Sequence, residues 1–254
     1  MIIRHCFTVV LLLLTVSVFA QQKKQAVEER AGFLIPIVYK AQLPFADLGN
    51  RFGFNSSIGL GVHYKTRKTW QFGIEGGLLF GDQVKDEDDA IQNSYIFHQD
   101  GRIFDIDGLP AEIFFFERGW TFSARVGKVI LPSKNNPNSG WFAQVGVGFM
   151  SHRIFIDSKE FTVPFLRDEY ETGIDRLTNG WMLVQYIGYQ YLDRQKLKNF
   201  SIGIEIIEGF TRNRRSYNFI TMSTEDEARF DLLVGLRVSW ILPIYNRKGE
   251  LYFN

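Results

Sequence analysis

The sequence predicts an all-β fold, an eight-stranded antiparallel up-and-down transmembrane β-barrel with long extracellular loops. Three patterns predict it: strands whose bulky apolar residues alternate with glycine and polar residues, connections that alternate short and long, and aromatic residues gathered where strands begin.

The first twenty residues, "MIIRHCFTVVLLLLTVSVFA", combine a basic start, an apolar run and small residues at Val18 and Ala20. This is the order of a secretory signal peptide cut before Gln21. The run is shorter than the roughly 20 residues of a membrane-crossing helix, and Cys6 lies inside it rather than at its end, which argues against a lipoprotein signal. Residues 21–30 are expected as a short periplasmic segment, 31–245 as the barrel and 246–254 as a periplasmic tail. Loss of the leader removes the only cysteine, so the mature chain has no disulfide and no thiolate metal site. It also removes Arg4 from 29 basic residues, leaving 28 against 28 acidic ones. Zero net charge points away from a polyanion, and no nucleic acid partner is expected.

The strands follow in order. In "AGFLIPIVYKAQL" Phe33, Ile35, Ile37, Tyr39, Ala41 and Leu43 share one face, with Lys40 and Gln42 on the other. "SIGLGVHY" sets Ile58, Leu60, Val62 and Tyr64 against Ser57, Gly59, Gly61 and His63, and "WQFGIEGGLLFG" sets Trp70, Phe72, Ile74, Leu78 and Phe80 against Gln71, Gly73, Glu75 and Gly77. "WTFSARVG" divides Trp120, Phe122, Ala124 and Val126 from Thr121, Ser123, Arg125 and Gly127, and "WFAQVGVGFM" divides Ala143, Val145, Val147 and Phe149 from Gln144, Gly146 and Gly148. "GWMLVQYIGYQYL" (180–192) is apolar on both parities, so its faces stay unassigned. "FSIGIEI" separates Phe200, Ile202, Ile204 and Ile206 from Ser201, Gly203 and Glu205, and "FDLLVGLRVSWILPIY" puts Leu232, Val234, Leu236, Val238 and Trp240 opposite Asp231, Arg237 and Ser239.

A soluble sandwich would turn the polar face to water and would seldom load it with glycine, which weakens a strand and packs nothing. A membrane barrel reverses the arrangement, with apolar residues toward lipid and small or polar ones toward a narrow interior. The connections agree. They are short at 65–69, 132–140 and 193–199, and long at 44–55, 82–119, 156–179 and 211–229. Making "EIFFFE" (112–117) a separate strand would send a long loop to the periplasm and is rejected. Trp70, Trp141 and Phe200 mark the periplasmic rim, and Trp120 and Trp181 the outer rim.

"FAQQ", "NPNSGWFAQVGVGFMSHRI" and "DRLTNGWMLVQYIGYQYL" resemble segments of the small outer-membrane β-barrel proteins abundant in Bacteroidota, and the likeness extends over nearly all of the mature chain. Some similar barrels belong to type IX secretion or other outer-membrane machines. The resemblance therefore implies residence in the outer membrane and a place in an envelope assembly.

Lys40, Glu75, Arg125, Glu205 and Arg237 are expected inside the barrel. Eight strands enclose a space only just filled by side chains, so paired charges should form a structural plug; a gated polar conduit is the alternative. Lipid-modifying barrel enzymes use a histidine with a serine and a carboxylate. The mature chain offers His63, His98 and His152, and Ser151 must face away from its neighbour His152, so no catalytic residue is assigned. The acids of "VKDEDDA" (84–90) and "DGRIFDIDG" (100–108) fall short of a calcium loop, and neither a metal nor a cofactor is expected. Arg212, Arg214 and Arg215 lie where lipopolysaccharide phosphates would be, making membrane lipid and lipopolysaccharide candidate partners. Thr224 and Glu227 have capping-box spacing, which predicts a short helix in the last loop. The apolar loop residues Ile113, Phe114, Phe115, Phe116, Phe161, Val163, Phe165 and Leu166 form either a cap or a contact surface for other envelope proteins. The function expected is a non-enzymatic structural or partner-binding barrel; a small-solute channel and a lipid-modifying enzyme are the alternatives.

Overall fold

The computed structural model describes residues 31–85, 103–104, 106–111, 114–134, 136–157, 175–193, 198–215, 217, 224 and 227–245. The expected signal peptide, the segments 21–30 and 246–254, His98, Ile113, Phe161, Val163, Phe165, Leu166 and all the acids of both acidic stretches except Asp107 lie outside the described residues.

Eight antiparallel strands close into a ring: β1 (Gly32–Phe45), β2 (Asn55–Lys65), β3 (Trp70–Gly81), β6 (Phe114–Ser133), β7 (Asn136–Asp157), β8 (Thr178–Leu192), β9 (Asn199–Asn213) and β10 (Ala228–Tyr245). β4 (Ile103–Phe104) and β5 (Pro110–Ala111) form a small ribbon in the connection between β3 and β6. Each barrel strand pairs with its chain neighbours, and β1 pairs with β10 along fourteen positions from Gly32↔Tyr245 to Phe45↔Leu232. Closure satisfies every ladder, which is what a backbone needs where no water can bond to it.

The side-chain alternation places the expected faces. On β10, Asp231, Leu233, Arg237 and Ser239 are buried while Leu236, Val238 and Trp240 are exposed on the outer surface. The faces of β8 are now assigned. Met182, Val184, Tyr186, Gln190 and Leu192 point inward, and Trp181, Leu183, Ile187, Tyr189 and Tyr191 point outward. Pattern alone could not separate them, because both faces of this strand carry large apolar residues.

Three expectations are corrected. Phe114, Phe115 and Phe116 are not loop residues: they begin β6, which pairs with β7 as far out as Phe114↔Asp157. These strands hold 20 and 22 residues, whereas about nine to eleven cross a bilayer, so their outer ends stand above the membrane. The interior is also less polar than predicted. Its outer part is an apolar core of Leu79, Phe115, Met150, Ile154, Met182, Val184, Ile207 and Leu233, and Leu34, Leu192 and Ile241 close the periplasmic end. Finally, Thr224 and Glu227 are not helical, while a helix stands in the first outer connection, α1 (Ala46–Arg51).

Helix α1 has no side-chain cap at Phe45; tertiary contacts hold it instead. Asp47 Oδ2 accepts the Phe230 backbone N–H at 2.7 Å, and Lys85 Nζ donates to the Gly49 carbonyl at 2.6 Å. Leu48 and Phe52 then drop into the outer core with no exposed surface. Phe52→Ala is expected to cost about 3–5 kcal/mol, read from the urea midpoint of the barrel refolded in lipid, with tryptophan fluorescence as the signal. An unchanged midpoint would mean that α1 does not cap the core.

Candidate functional site

At mid-depth the interior is filled by five charged side chains from five strands: Lys40 (β1), Glu75 (β3), Arg125 (β6), Glu205 (β9) and Arg237 (β10). Register gives them room. Glu75 stands opposite Gly61, Glu205 opposite Gly235, Arg237 opposite Gly203, and Arg125 between Gly73 and Gly146. A Cβ on Gly146 would lie 2.9 Å from Arg125 Cγ, so a side chain there would displace the arginine stem.

Each cation touches both acids. Arg125 reaches Glu75 Oε1 at 3.0 Å and Glu205 Oε2 at 2.6 Å. Arg237 reaches Glu75 Oε2 at 2.6 Å and Glu205 Oε2 at 3.4 Å. Lys40 Nζ lies 2.6 Å from Glu205 Oε1 and 3.3 Å from Glu75 Oε1. The cluster holds three formal positive charges against two negative ones, all with side chains at most 3% exposed. Tyr186, on the strand whose faces the pattern could not assign, supports the Arg237 guanidinium with its ring at 4.7 Å. Ser123 Oγ accepts from Arg125 Nε at 2.8 Å.

Below the cluster the filling is polar and neutral. Gln71 donates to Gln190 Oε1 at 3.0 Å, and the Ser201 and Ser239 hydroxyls bond at 2.5 Å. Beside them a cavity of about 10 Å³, lined by His63, Gln71, Gln190, Ser201 and Arg237 among others, has room for about one water centre.

Above the cluster lies a second polar group that the sequence analysis did not assemble. His152 Nε2 is 3.0 Å from Asp231 Oδ2, the same oxygen accepts from Thr211 Oγ1 at 2.6 Å, and Asn55 Nδ2 donates to Glu117 Oε2 at 3.0 Å. Phe52 meets the imidazole edge-on at 5.9 Å, and Arg51 covers Phe52 while donating to Thr178 Oγ1 at 3.0 Å. Inward parity was legible for Asp231, whereas Glu117 was read as part of the outer connection 82–119, and which strand ends share a depth was not legible. By parity Ser151 faces outward, away from His152. Among the described residues no group of three or more His, Cys, Asp or Glu is placed to hold a metal ion.

The outer surface carries two aromatic girdles. Trp120, Phe149 and Trp181 follow one another at centroid separations of 5.9 and 6.1 Å, Trp181 pairs with Phe210, and Phe210 meets Phe230 at 5.6 Å. Toward the periplasm stand Trp70, Trp141, Tyr191, Phe200 and Trp240, with Lys128 over Trp70 at 5.2 Å. Between the girdles Glu208 is the one charged side chain on the outward face among the described residues. It accepts from Gln185 Nε2 at 3.1 Å, and the pair escaped notice because β8 had no assigned faces.

The rim arginines divide. Arg215 turns to Asp175, donating from Nε to Oδ1 at 2.7 Å and from Nη2 to Oδ2, so it is not a lipid-phosphate contact as expected. Arg212 and Arg214 stay exposed on the outward side. Phe114 is 54% exposed, whereas Phe115 is buried and therefore not a partner contact; Phe116 lies under the Arg118 guanidinium at 4.9 Å.

No family model and no curated protein matches the chain. Among solved structures it is similar to Ail, the attachment invasion locus protein of Yersinia pestis, in complex with the heparin analogue sucrose octasulfate, at 8% identity and a TM-score of 0.45 over 84% of this chain and 99% of that one. It is also similar to Neisserial surface protein A, at 10% identity and 0.41 over 82% and 96%, and to the outer membrane protein OprG of Pseudomonas aeruginosa, at 12% and 0.35 over 84% and 98%. The architecture here rests on its own closed register. A closed barrel with an apolar outer belt between two girdles is an outer-membrane barrel.

The surplus of one cation makes the cluster asymmetric. Glu205→Gln leaves three buried cations on one carboxylate and is expected to cost about 3–5 kcal/mol. Lys40→Met leaves two of each sign and is expected to cost about 1 kcal/mol or less. Urea midpoints of the refolded variants decide, and equal losses would count against a shared lattice. On the outer face, Glu208→Leu is expected to raise stability by about 1 kcal/mol in the same assay.

Proposed function

We propose that this chain is a non-conducting, non-enzymatic outer-membrane barrel that acts as a structural or partner-binding subunit of a larger envelope assembly, of the secretion or outer-membrane-biogenesis type. The observation that carries this reading is the cross-section at mid-depth, where five interlocked charges leave no water-filled path. With the interior occupied, the surfaces open to a partner are the outside wall and the outer rim. There β6 and β7 stand above the membrane and present Phe114, an exposed aromatic side chain of the kind that anchors interfaces. The resemblance of several segments to Bacteroidota barrels supports an envelope of that type, and Arg212 and Arg214 support contact with outer-leaflet lipid.

The non-enzymatic reading is supported by the setting of His152. Its partner Asp231 is buried, Phe52 covers the ring, and the adjacent Ser151 hydroxyl belongs to the other face.

A gentle-detergent pulldown from the native outer membrane, with a photo-crosslinker in place of Phe114, is expected to capture a stoichiometric envelope protein. Recovery of an uncrosslinked monomer alone would overturn the subunit reading. In planar bilayers the wild-type protein is expected to give no discrete conductance steps, and steps that change with Arg125→Ala or Arg237→Ala would establish a channel instead. Lipid A that changes when the gene is lost, and stays changed with His152→Ala, would establish the enzyme.

A further inference from the structure

The outer ends of β6 to β9 carry more positive charge than the described residues neutralise. Arg118 on β6 stands directly opposite Arg153 on β7, and both project outward. Like charges opposed on neighbouring strands repel. Further round the same rim, Arg212 pairs with Asn179 of β8, and Arg214, two residues on, donates its backbone N–H to the Leu177 carbonyl at 2.8 Å and Nε to Asn179 Oδ1 at 2.5 Å. Acids among the described residues do not balance them. Arg118, Arg212 and Arg214 have no carboxylate within ion-pair distance among the described residues, and Arg153 Nη1 is 3.8 Å from Asp175 Oδ2, a carboxylate already held by Arg215. The guanidinium of Arg118 is fixed in place: it lies over Phe116 at 4.9 Å and Phe155 at 5.8 Å and donates to the Glu117 carbonyl at 2.9 Å.

What lies beneath the arginines selects the anion. The arc Trp120, Phe149, Trp181 and Phe210 runs just below them, and Phe122, Val147 and Leu183 continue the same wall toward the membrane centre. An anionic group held on the arginines would therefore have acyl chains directly under it. Across the barrel the rim of β1 to β3 offers Phe45, Phe54 and Phe80 instead, so among the described residues the outward-facing arginines of the outer rim lie on one side.

We propose that the outer rim of β6 to β9 is a binding site for a phosphorylated, acylated lipid of the outer leaflet, with Arg118, Arg153, Arg212 and Arg214 holding its phosphates and the aromatic arc packing against its acyl chains. Arginine suits this role because its planar fork donates two parallel hydrogen bonds to phosphate oxygens. The site deepens the lipid contact named above and rests on placement of the barrel in the outer membrane. It does not depend on the sealed interior, so conductance results leave it untouched.

The test uses the mature protein folded in zwitterionic micelles and doped with bis-phosphorylated lipid A, with the same lipid stripped of phosphate, or with inorganic phosphate. Bound lipid is counted by native mass spectrometry and the unfolding midpoint is recorded alongside. Bis-phosphorylated lipid A is expected to bind about tenfold tighter than the stripped lipid, and the Arg118→Gln/Arg153→Gln and Arg212→Gln/Arg214→Gln doubles are each expected to lose about tenfold. Arg67→Gln, on the periplasmic turn, should bind as wild type. Arg118→Gln adds a check that simple packing loss cannot imitate: it should raise the midpoint in lipid-free micelles, where repulsion is relieved, and lower it with lipid A present. Equal binding of stripped lipid, unchanged binding by both doubles, or a lower Arg118→Gln midpoint in both conditions would overturn the proposal. Competition by inorganic phosphate at equal concentration would make this a soluble-anion site and overturn the lipid assignment.

Discussion

The constraint on which the rest of the molecule depends is the width of an eight-stranded ring, which leaves no room for bulk water and obliges inward side chains to satisfy one another. The closing seam shows how tightly this binds the structure. β1 and β10 pair so that Lys40 faces Arg237, two cations directly opposed. Only the carboxylates of Glu75 and Glu205, from β3 and β9, make that register tolerable, because each lies against both cations. Closure and charge lattice therefore require each other. A slip of one residue would turn Arg237 toward lipid and leave two buried acids without one of their partners.

The same constraint shapes what surrounds the lattice. Glycines opposite the long charged side chains supply the space that a second side chain would take. Above it, level with the outer girdle and just below, the filling changes to Met150, Met182, Ile207 and Leu233 under the lid of Leu48 and Phe52. A barrel packed in this way resembles a soluble core turned inside out, and its capacity for recognition moves to the wall and the outer rim. Among the described residues the outward-facing arginines of that rim, Arg118, Arg153, Arg212 and Arg214, all stand over β6 to β9.

Much of this was legible in the chain. Period-two alternation assigns a face to every residue of a strand that has one polar side, so Lys40, Glu75, Arg125, Glu205 and Arg237 could be placed inside without coordinates. It was silent for 180–192, where Met182 and Leu183 look alike to any pattern, and this hid Tyr186 behind Arg237 and the Gln185–Glu208 pair on the lipid face. Strand ends were the other gap. Phe114 to Phe116 read as an apolar loop because pairing beyond the girdle leaves no compositional mark.

The sequence by itself determined the class, the strand count and the side of the wall on which each patterned residue lies, since these follow from local geometry and connection length. Tertiary structure alone decided depth and company: that Arg215 meets Asp175 while Arg118 meets Arg153, that each interior cation reaches both acids, and that α1 lies over the outer core. The physical reason is register. Alternation is a property of one strand, but which residues share a level depends on the stagger between strands, and that stagger is set only when the ring closes.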